Sequence, residues 1–385
     1  MPWVLSDCRL RRQPEHMKNT TTPSSETAEE AKEPNTQSGK IAKRIFLGID
    51  AHVRLYQVCR KLDQSGMQPV QSFTLEALLL FCYKQLALAD EVHAVYEAGP
   101  LGYVLYRRLT EMGITAYVCA PECLEQNKRK YNKIDCRKLT SRLYSLVNGD
   151  RYAMRVVRVP SPEQEILRAQ SRQYDQLMRT RKAIAAQGRG LMLSQGYSVK
   201  GVWWRPRAFR RIKAIVPPWI SAELELWQTN LRTLDQQMLE LKVKLAKSCE
   251  GLRPKGFGAL SLTQLDREIF DYPRFSNRRQ VGCFGGLCPS EHSTGDPGAQ
   301  RLGSITKVGS GRIRTILIEM VWRLVRFQPD YPPIVKWHAR LTGTNKVLKK
   351  KAAVAVARQL LIDIWRIRTG RKTAQELGLK LIGLK

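Results

Sequence analysis

The chain has 385 residues, 43% of them hydrophobic, and sets 65 Lys plus Arg against 34 Asp plus Glu, a formal net charge of +31. That length suits two or three domains with sizeable cores, and the apolar content excludes a wholly disordered chain. The charge excess favours a polyanionic partner, most economically nucleic acid gripped through its phosphates, although solubility alone or a membrane surface can also call for basic residues.

No run reaches the roughly eighteen apolar residues of a membrane span, and MPWVLSDCRLRRQ lacks the apolar core of a signal peptide. A soluble, cytoplasmic protein with no membrane partner is expected. The nine cysteines form no CxxC pair. Cys119 and Cys123, like Cys283 and Cys288, read as reduced, mostly packed thiols rather than as disulfides or zinc ligands.

Residues 1–43 are expected to be a disordered tail, because 14–43 is rich in Pro, Ser, Thr, Glu and Lys. From Arg44, RIFLGID reads as a strand. LYQVCRKLDQSG and VQSFTL form a second and third strand around a DQSG turn, an antiparallel meander. LEALLLFCYKQLALAD is a helix, EVHAVYEAG a strand, LGYVLYRRLTEMG a helix ending on Gly113, and ITAYVCAP a strand stopped by Pro121. This order predicts a mixed sheet flanked by helices over 44–160.

Ser161–Ser194 reads as one long helix with Ser161 as its cap and Pro162 in its first turn. A second helix spans Ser221–Cys249, with a seam of leucines at 224, 226, 231, 234, 239, 241 and 245. Together 161–249 suggest a helical hairpin or coiled-coil arm, able to pair with itself or with another subunit. Its charged faces are expected to be solvated, with Arg179, Arg181, Lys182 and Arg189 also placed to follow a phosphate backbone. Residues 250–385 form a basic, helical region with glycine breaks. There PKGFGALSL has the form of a turn between two short helices, which can aim amides at a phosphate or be a plain turn.

FLGIDAHV climbs through apolar residues to Asp50 and then turns polar. Read alone, Asp50 is more simply a turn residue closing a strand. Glu97, however, also stands at a strand end before a glycine-rich turn, and Asp135 in KYNKIDCRKLTSRL lies at helical spacing with Lys138, Leu139 and Arg142. Three carboxylates brought together would raise one another's pKa unless neutralised. A pair of Mg²⁺ ions, or Mn²⁺, would neutralise them and clamp a phosphodiester, since oxygen ligands select these metals over zinc.

The chain resembles the DEDD-type transposases of bacterial insertion sequences. The resemblance runs from Arg44 to the C-terminus and rests on GIDAH (48–52), YEAGPLGY (96–103), KYNKIDCRKL (130–139), VRVPSPE (157–163), FGGLCPSEHSTG and RLGSITKVGS (301–310). It implies an RNase H-like N-terminal domain related to Holliday-junction resolvases, with Asp50, Glu97 and Asp135 as the first, second and fourth acids. The third acid's position is Asn132, a departure that keeps a carbonyl oxygen for a metal or its water but removes a charge. The resemblance also implies a hydroxyl nucleophile in the C-terminal domain that links covalently to DNA. Counting from Pro289 lands on Thr294, and its neighbour Ser293 is preferred. Without the family, Ser-Thr-Gly is an ordinary loop.

Arg301, Lys307, Arg312 and Arg314 make a basic cluster suited to phosphates, whereas Trp322, Phe327, Tyr331 and Trp337 read as core. His52 and His292 read as polar loop residues outside the catalytic set. The resemblance further implies DNA partners, an element-encoded non-coding guide RNA, a dimer or tetramer, and association with the bacterial nucleoid. The fold expected is thus an α/β RNase H-like mixed sheet, a long helical hairpin or coiled coil, and a mostly α-helical C-terminal domain. Two other activities suit the same residues: a junction-resolving nuclease without a covalent intermediate, and a catalytically inactive nucleic-acid-binding protein.

Overall fold

A computed structural model describes residues 39–121, 132–249, 251–292 and 301–383, without the side chains of 132–134, 291–292 and 301–302. The chain divides into two compact units, Met1–Arg158 and Val159–Lys385.

The first unit is built on β1 (Ala42–Ala51), β2 (Tyr56–Leu62), β3 (Gln71–Phe73), α1 (Leu75–Leu86), β4 (Ala89–Glu97), α2 (Val104–Glu111), β5 (Thr115–Cys119) and α3 (Asn132–Val147). Its sheet has the order β3-β2-β1-β4-β5. The pairs β1–β2 and β2–β3 are antiparallel, whereas β1–β4 and β4–β5 are parallel. The meander and the alternating half predicted from the sequence therefore meet at β1.

Strand β1 begins at Ala42, ahead of the expected Arg44, because the amides of Ile41 and Ala42 both donate to Leu88 O and zip it to the start of β4. The turn after β2 contains Asp63 in a left-handed conformation (φ 37°), which asparagine and aspartate tolerate better than most residues. Its carboxylate accepts from the amides of Lys43 and Arg44 at 3.0 and 2.8 Å, tying the turn back to β1. Residues 45–49 are buried without interruption, as a central strand covered on both faces requires.

The second unit contains α4 (Pro162–Ser194), α5 (Pro206–Lys213), α6 (Pro218–Lys247), β6 (Arg253–Pro254), α7 (Ala259–Ile269), α8 (Arg278–Phe284), β7 (Pro289–His292), β8 (Arg301–Ile305), α9 (Gly311–Phe327), α10 (Pro332–Thr342), α11 (Lys346–Arg368) and β9 (Leu381–Ile382). Helix α4 opens with the expected cap: Ser161 Oγ accepts from Gln164 N at 3.2 Å, and Gln164 Oε1 accepts from Ser161 N at 2.9 Å. Helix α6 starts at Pro218, three residues before the sequence reading placed it, since proline suits a first helical turn.

The hairpin of α4 and α6 buries Leu224, Leu231, Met238 and Leu245, spaced by seven, so the seam is narrower than the leucine pattern suggested. Leu226 and Leu239 instead lie exposed. Helix α5 was not foreseen. It caps the hairpin where Trp203 fills a space bounded by Gly188, and the Trp203 indole donates to Ala185 O at 3.0 Å.

Helices α4 and α6 also pack on α7, so the arm and the C-terminal helices form one compact unit. The PKGFGALSL turn joins the short strand β6 to α7 rather than two short helices, because β6 pairs with β9. The second core gathers residues from α7 to α11, including Tyr331, with Trp337 packed against it. Trp322 and Phe327 differ from expectation: both are surface residues of α9, and Arg323 and Arg326 stack over the Phe327 ring. Among the described cysteines, Cys283 is exposed, with its Sγ 2.9 Å from that of Cys288. Cys59, Cys82, Cys119, Cys136 and Cys249 are buried thiols, and Cys123 lies outside the described residues.

Candidate active site

Backbone register sets Asp50 and Glu97 on neighbouring strand ends, and α3 brings Asp135 within electrostatic reach of Asp50. In β1 and β4 the parallel pairing runs Gly48 with Val95 and Ile49 with Tyr96, so Asp50 and Glu97 follow side by side at the two strand ends. Side chains of paired residues share a face of a sheet, and that face repeats every second residue. Gly48, two residues before Asp50, looks directly at α3. A Cβ there would lie 2.3 Å from Cys136 O and 2.5 Å from Thr140 N. Glycine at 48 thus lets α3 lie on the sheet and carries its first-turn acid, Asp135, toward the end of β1. The buried Thr140 hydroxyl lies 2.8 Å from Cys136 O and 3.1 Å from Cys59 O, pinning the helix to β2 as well.

Asp50 has a side chain 19% exposed, and His52 Nε2 lies 3.1 Å from its Oδ2. Burial raises the Asp50 carboxyl above its ordinary range. His52 draws it partly back down, and the charge of Asp135 pushes it up again. The site therefore resists negative charge on Asp50.

Gln57 lies opposite Asp50 in the β1–β2 register and so shares its face. Its Oε1 is buried without a hydrogen-bond partner among the protein atoms, an orphan that normally calls for a partner. Sequence reading passed over Gln57 and set His52 aside. Strand alternation alone would have put Gln57 on one face of β2, but pairing it with Asp50 required the register. Among the described residues, no group of three or more His, Cys, Asp and Glu side chains stands close enough to hold a metal ion. Asp50 and Asp135 are brought together electrostatically, and Glu97 is on the adjacent strand end. Asn132 begins α3, and its side chain is outside the description.

In the second unit, Ser293 and Thr294 lie outside the described residues. The hairpin that leads to them is described at its base: Thr306 N donates to Cys288 O at 2.8 Å and Ser310 N to Phe284 O at 2.9 Å. Gly286 (φ 64°) and Gly309 (φ 127°) let the FGGL turn and the KVGS segment touch. A Cβ on Gly309 would sit 2.4 Å from Phe284 O.

The four basic residues near this hairpin part company. Lys307 is exposed, and Arg301 begins β8. Arg314 donates to Gly285 O at 2.9 Å and braces the turn. Arg312 is engaged with Asp175 and lies 3.4 Å from Glu268, in a knot that also includes Arg172 (2.9 Å) and Arg168 (3.6 Å). Burial pushes the Glu268 carboxyl up, but Arg172, with Arg168 and Arg312, outweighs it and leaves the pKa lowered. The charge of Arg312 is thereby balanced inside the fold, joining α4, α7 and α9.

The first unit thus presents Asp50 and Glu97 at neighbouring strand ends of a mixed sheet, and the second unit is mostly helical. Residues 252–334, from β6 into α10, match the transposase IS116/IS110/IS902 family. Over longer stretches the chain is 28% identical to a protein named transposase y4rJ from Sinorhizobium fredii, covering 71% of this chain and 76% of that one. It is 27% identical to a protein named as a family 20 transposase of Pseudomonas aeruginosa (82% and 90% covered). It is 24% identical to the transposase for insertion sequence element IS1111A of Coxiella burnetii (85% and 90%). The chain is thus similar over most of its length to proteins named as transposases, and a C-terminal segment of it matches the transposase IS116/IS110/IS902 family. No helix among the described residues is long and apolar enough to cross a membrane.

Proposed function

We propose that this protein is an insertion-sequence transposase of the IS110/IS116 family that binds the DNA of its element and target and cuts and rejoins strands at an acidic centre on an RNase H-like first unit, assisted by a C-terminal hydroxyl. The observation that carries the reading is the packing of α3 on Gly48, which brings Asp135 beside Asp50 on the face that Glu97 shares.

The residues fit a hard divalent cation on two counts. Asp50 is held in a setting that penalises its charge, and Gln57 Oε1 is a buried oxygen without a partner beside it. Asp50, Asp135 and Gln57, with Glu97 and Asn132, would supply oxygens to Mg²⁺ or Mn²⁺. Such an ion supplies Lewis-acid polarisation of a phosphoryl oxygen. The protein's own part is to orient these oxygens: His52 fixes the Asp50 carboxylate, and the Thr140 hydroxyl fixes the register of α3.

Ser293, with Thr294 beside it, is the hydroxyl that attacks phosphorus and displaces a 3′ or 5′ oxygen, leaving a protein–DNA ester. The net charge of +31 suits two duplexes and an element-encoded guide RNA bound at once. A homo-oligomer supplies the paired centres that strand exchange needs.

The test is a strand-exchange assay with the element's own ends and flanking non-coding RNA in Mg²⁺. Asp50→Ala is expected to abolish exchange, and Ser293→Ala to remove a covalent adduct that wild type forms. Equal exchange by wild type and Asp50→Ala would refute the acidic centre. An adduct surviving both Ser293→Ala and Thr294→Ala would refute the hydroxyl assignment.

A further inference from the structure

A cavity of about 830 Å³ opens in the second unit between α8, α11 and the base of the β7–β8 hairpin. Its floor is aliphatic, with Leu287, Ile305, Val354 and Ile362 among the lining side chains, while its mouth carries Arg278, Arg279, Lys350, Lys351 and Arg358. None of these five cations has a carboxylate partner among the described residues, in contrast to Arg312, whose charge is balanced by Asp175 and Glu268.

Helix α11 supplies the register. Lys350, Val354, Arg358 and Ile362 recur at every fourth position and therefore lie along one face. From Lys350 to Arg358 the helix rises about 12 Å, close to the length of three stacked nucleotides at about 3.4 Å each. Arg358 is seated over Gly282, where a Cβ would come within 2.8 Å of its Nε, so this guanidinium is held at the mouth by the absence of a side chain on α8.

We propose that this cleft binds a single polynucleotide strand, DNA or RNA, with its phosphates on the Arg and Lys rim and an unpaired base or sugar on the aliphatic floor. A duplex offers phosphates and groove edges but no free base face for an apolar cavity of this depth, whereas a separated strand offers both chemistries at nucleotide spacing. The site deepens the transposase reading and rests on it: one wall is the β7–β8 hairpin, whose first strand, Pro289–His292, directly precedes Ser293 in the sequence.

Binding of fluorescein-labelled 12-mers of single-stranded DNA, single-stranded RNA and duplex DNA to the full chain, followed by anisotropy over a salt series, tests this. Val354→Phe fills the floor without altering charge and is expected to weaken single-strand binding about tenfold while sparing the duplex. Lys350→Ser/Lys351→Ser, at exposed positions where folding is not at risk, should reduce the salt slope for a single strand by about 1.4, at about 0.7 per phosphate contact. Circular dichroism melts establish that each variant is folded. An unchanged single-strand affinity in folded Val354→Phe, an unchanged salt slope in the double lysine variant, or equal weakening of duplex and single strand would each overturn the proposal. The two claims fail separately: the acidic centre is read by strand exchange in Asp50→Ala, and the cleft by oligonucleotide binding of the Val354 and Lys350/Lys351 variants. The stronger of the DNA and RNA arms identifies the source of the strand.

Discussion

Gly48→Ala is the most direct probe of how the fold assembles its acids. The new Cβ would meet Cys136 O and Thr140 Oγ1 at 2.3 Å and Thr140 N at 2.5 Å, about 1.1 Å short of ordinary van der Waals contact. Two of these three atoms are backbone of α3, so no rotamer change relieves the clash and the helix itself must move. Overpacking of this kind costs about 1–3 kcal/mol. The upper half of that range is expected here, because β1 is the central strand and its other face is also packed. Since α3 carries Asp135 in its first turn, a helix displaced by about 1 Å also displaces a member of the proposed acidic centre, a shift able to lower a rate on the order of 100-fold. Urea unfolding followed by far-ultraviolet circular dichroism measures the first effect, and the strand-exchange assay the second. Adding Thr140→Ala removes one clash and leaves both backbone contacts, so it should restore little. A Gly48→Ala protein within about 0.5 kcal/mol of wild type and with full strand exchange would refute the account of α3 docking.

Asp50→Asn should raise the melting temperature in chelator-treated buffer at pH 7 while abolishing strand exchange, because the folded state penalises the ionised carboxylate. The sign follows from the raised pKa: the penalty appears as pH climbs past the unfolded value, near 3.9, and is absent below it, where the carboxyl is protonated in both states. A fall in melting temperature at pH 7, or Mg²⁺ stabilising Asp50→Asn as much as wild type, would count against it. Glu268→Gln should destabilise the second unit by roughly 3–5 kcal/mol, the usual result of deleting one partner of a buried ion pair. Because the Glu268 pKa is lowered, its contribution is present above the unfolded carboxyl value, near 4.3, and is lost as pH falls through the folded value. Wild type and variant should therefore converge in stability under strong acid, and an equal difference at pH 7 and pH 2 would contradict that.

Much of this protein is written locally in its sequence. The order of strands and helices, the Ser161 cap on α4 and the arrival of Asp50 and Glu97 at strand ends all follow from periodicity and end signals within a dozen residues. The leucine pattern also located α6, but it did not distinguish buried Leu231 from exposed Leu226, because a helix side is apolar only where another element covers it. What the tertiary structure alone decided is which groups meet. Gln57 faces Asp50 through an antiparallel register, and Asp135 approaches through a glycine on another element. Arg312 and Arg278 look alike in sequence, yet one is balanced by Glu268 and Asp175 while the other stands at the mouth of an open cleft. Charge pairing depends on distance in space, and residues nearly 140 apart along the chain, such as Asp175 and Arg312, acquire that distance only when the helices pack.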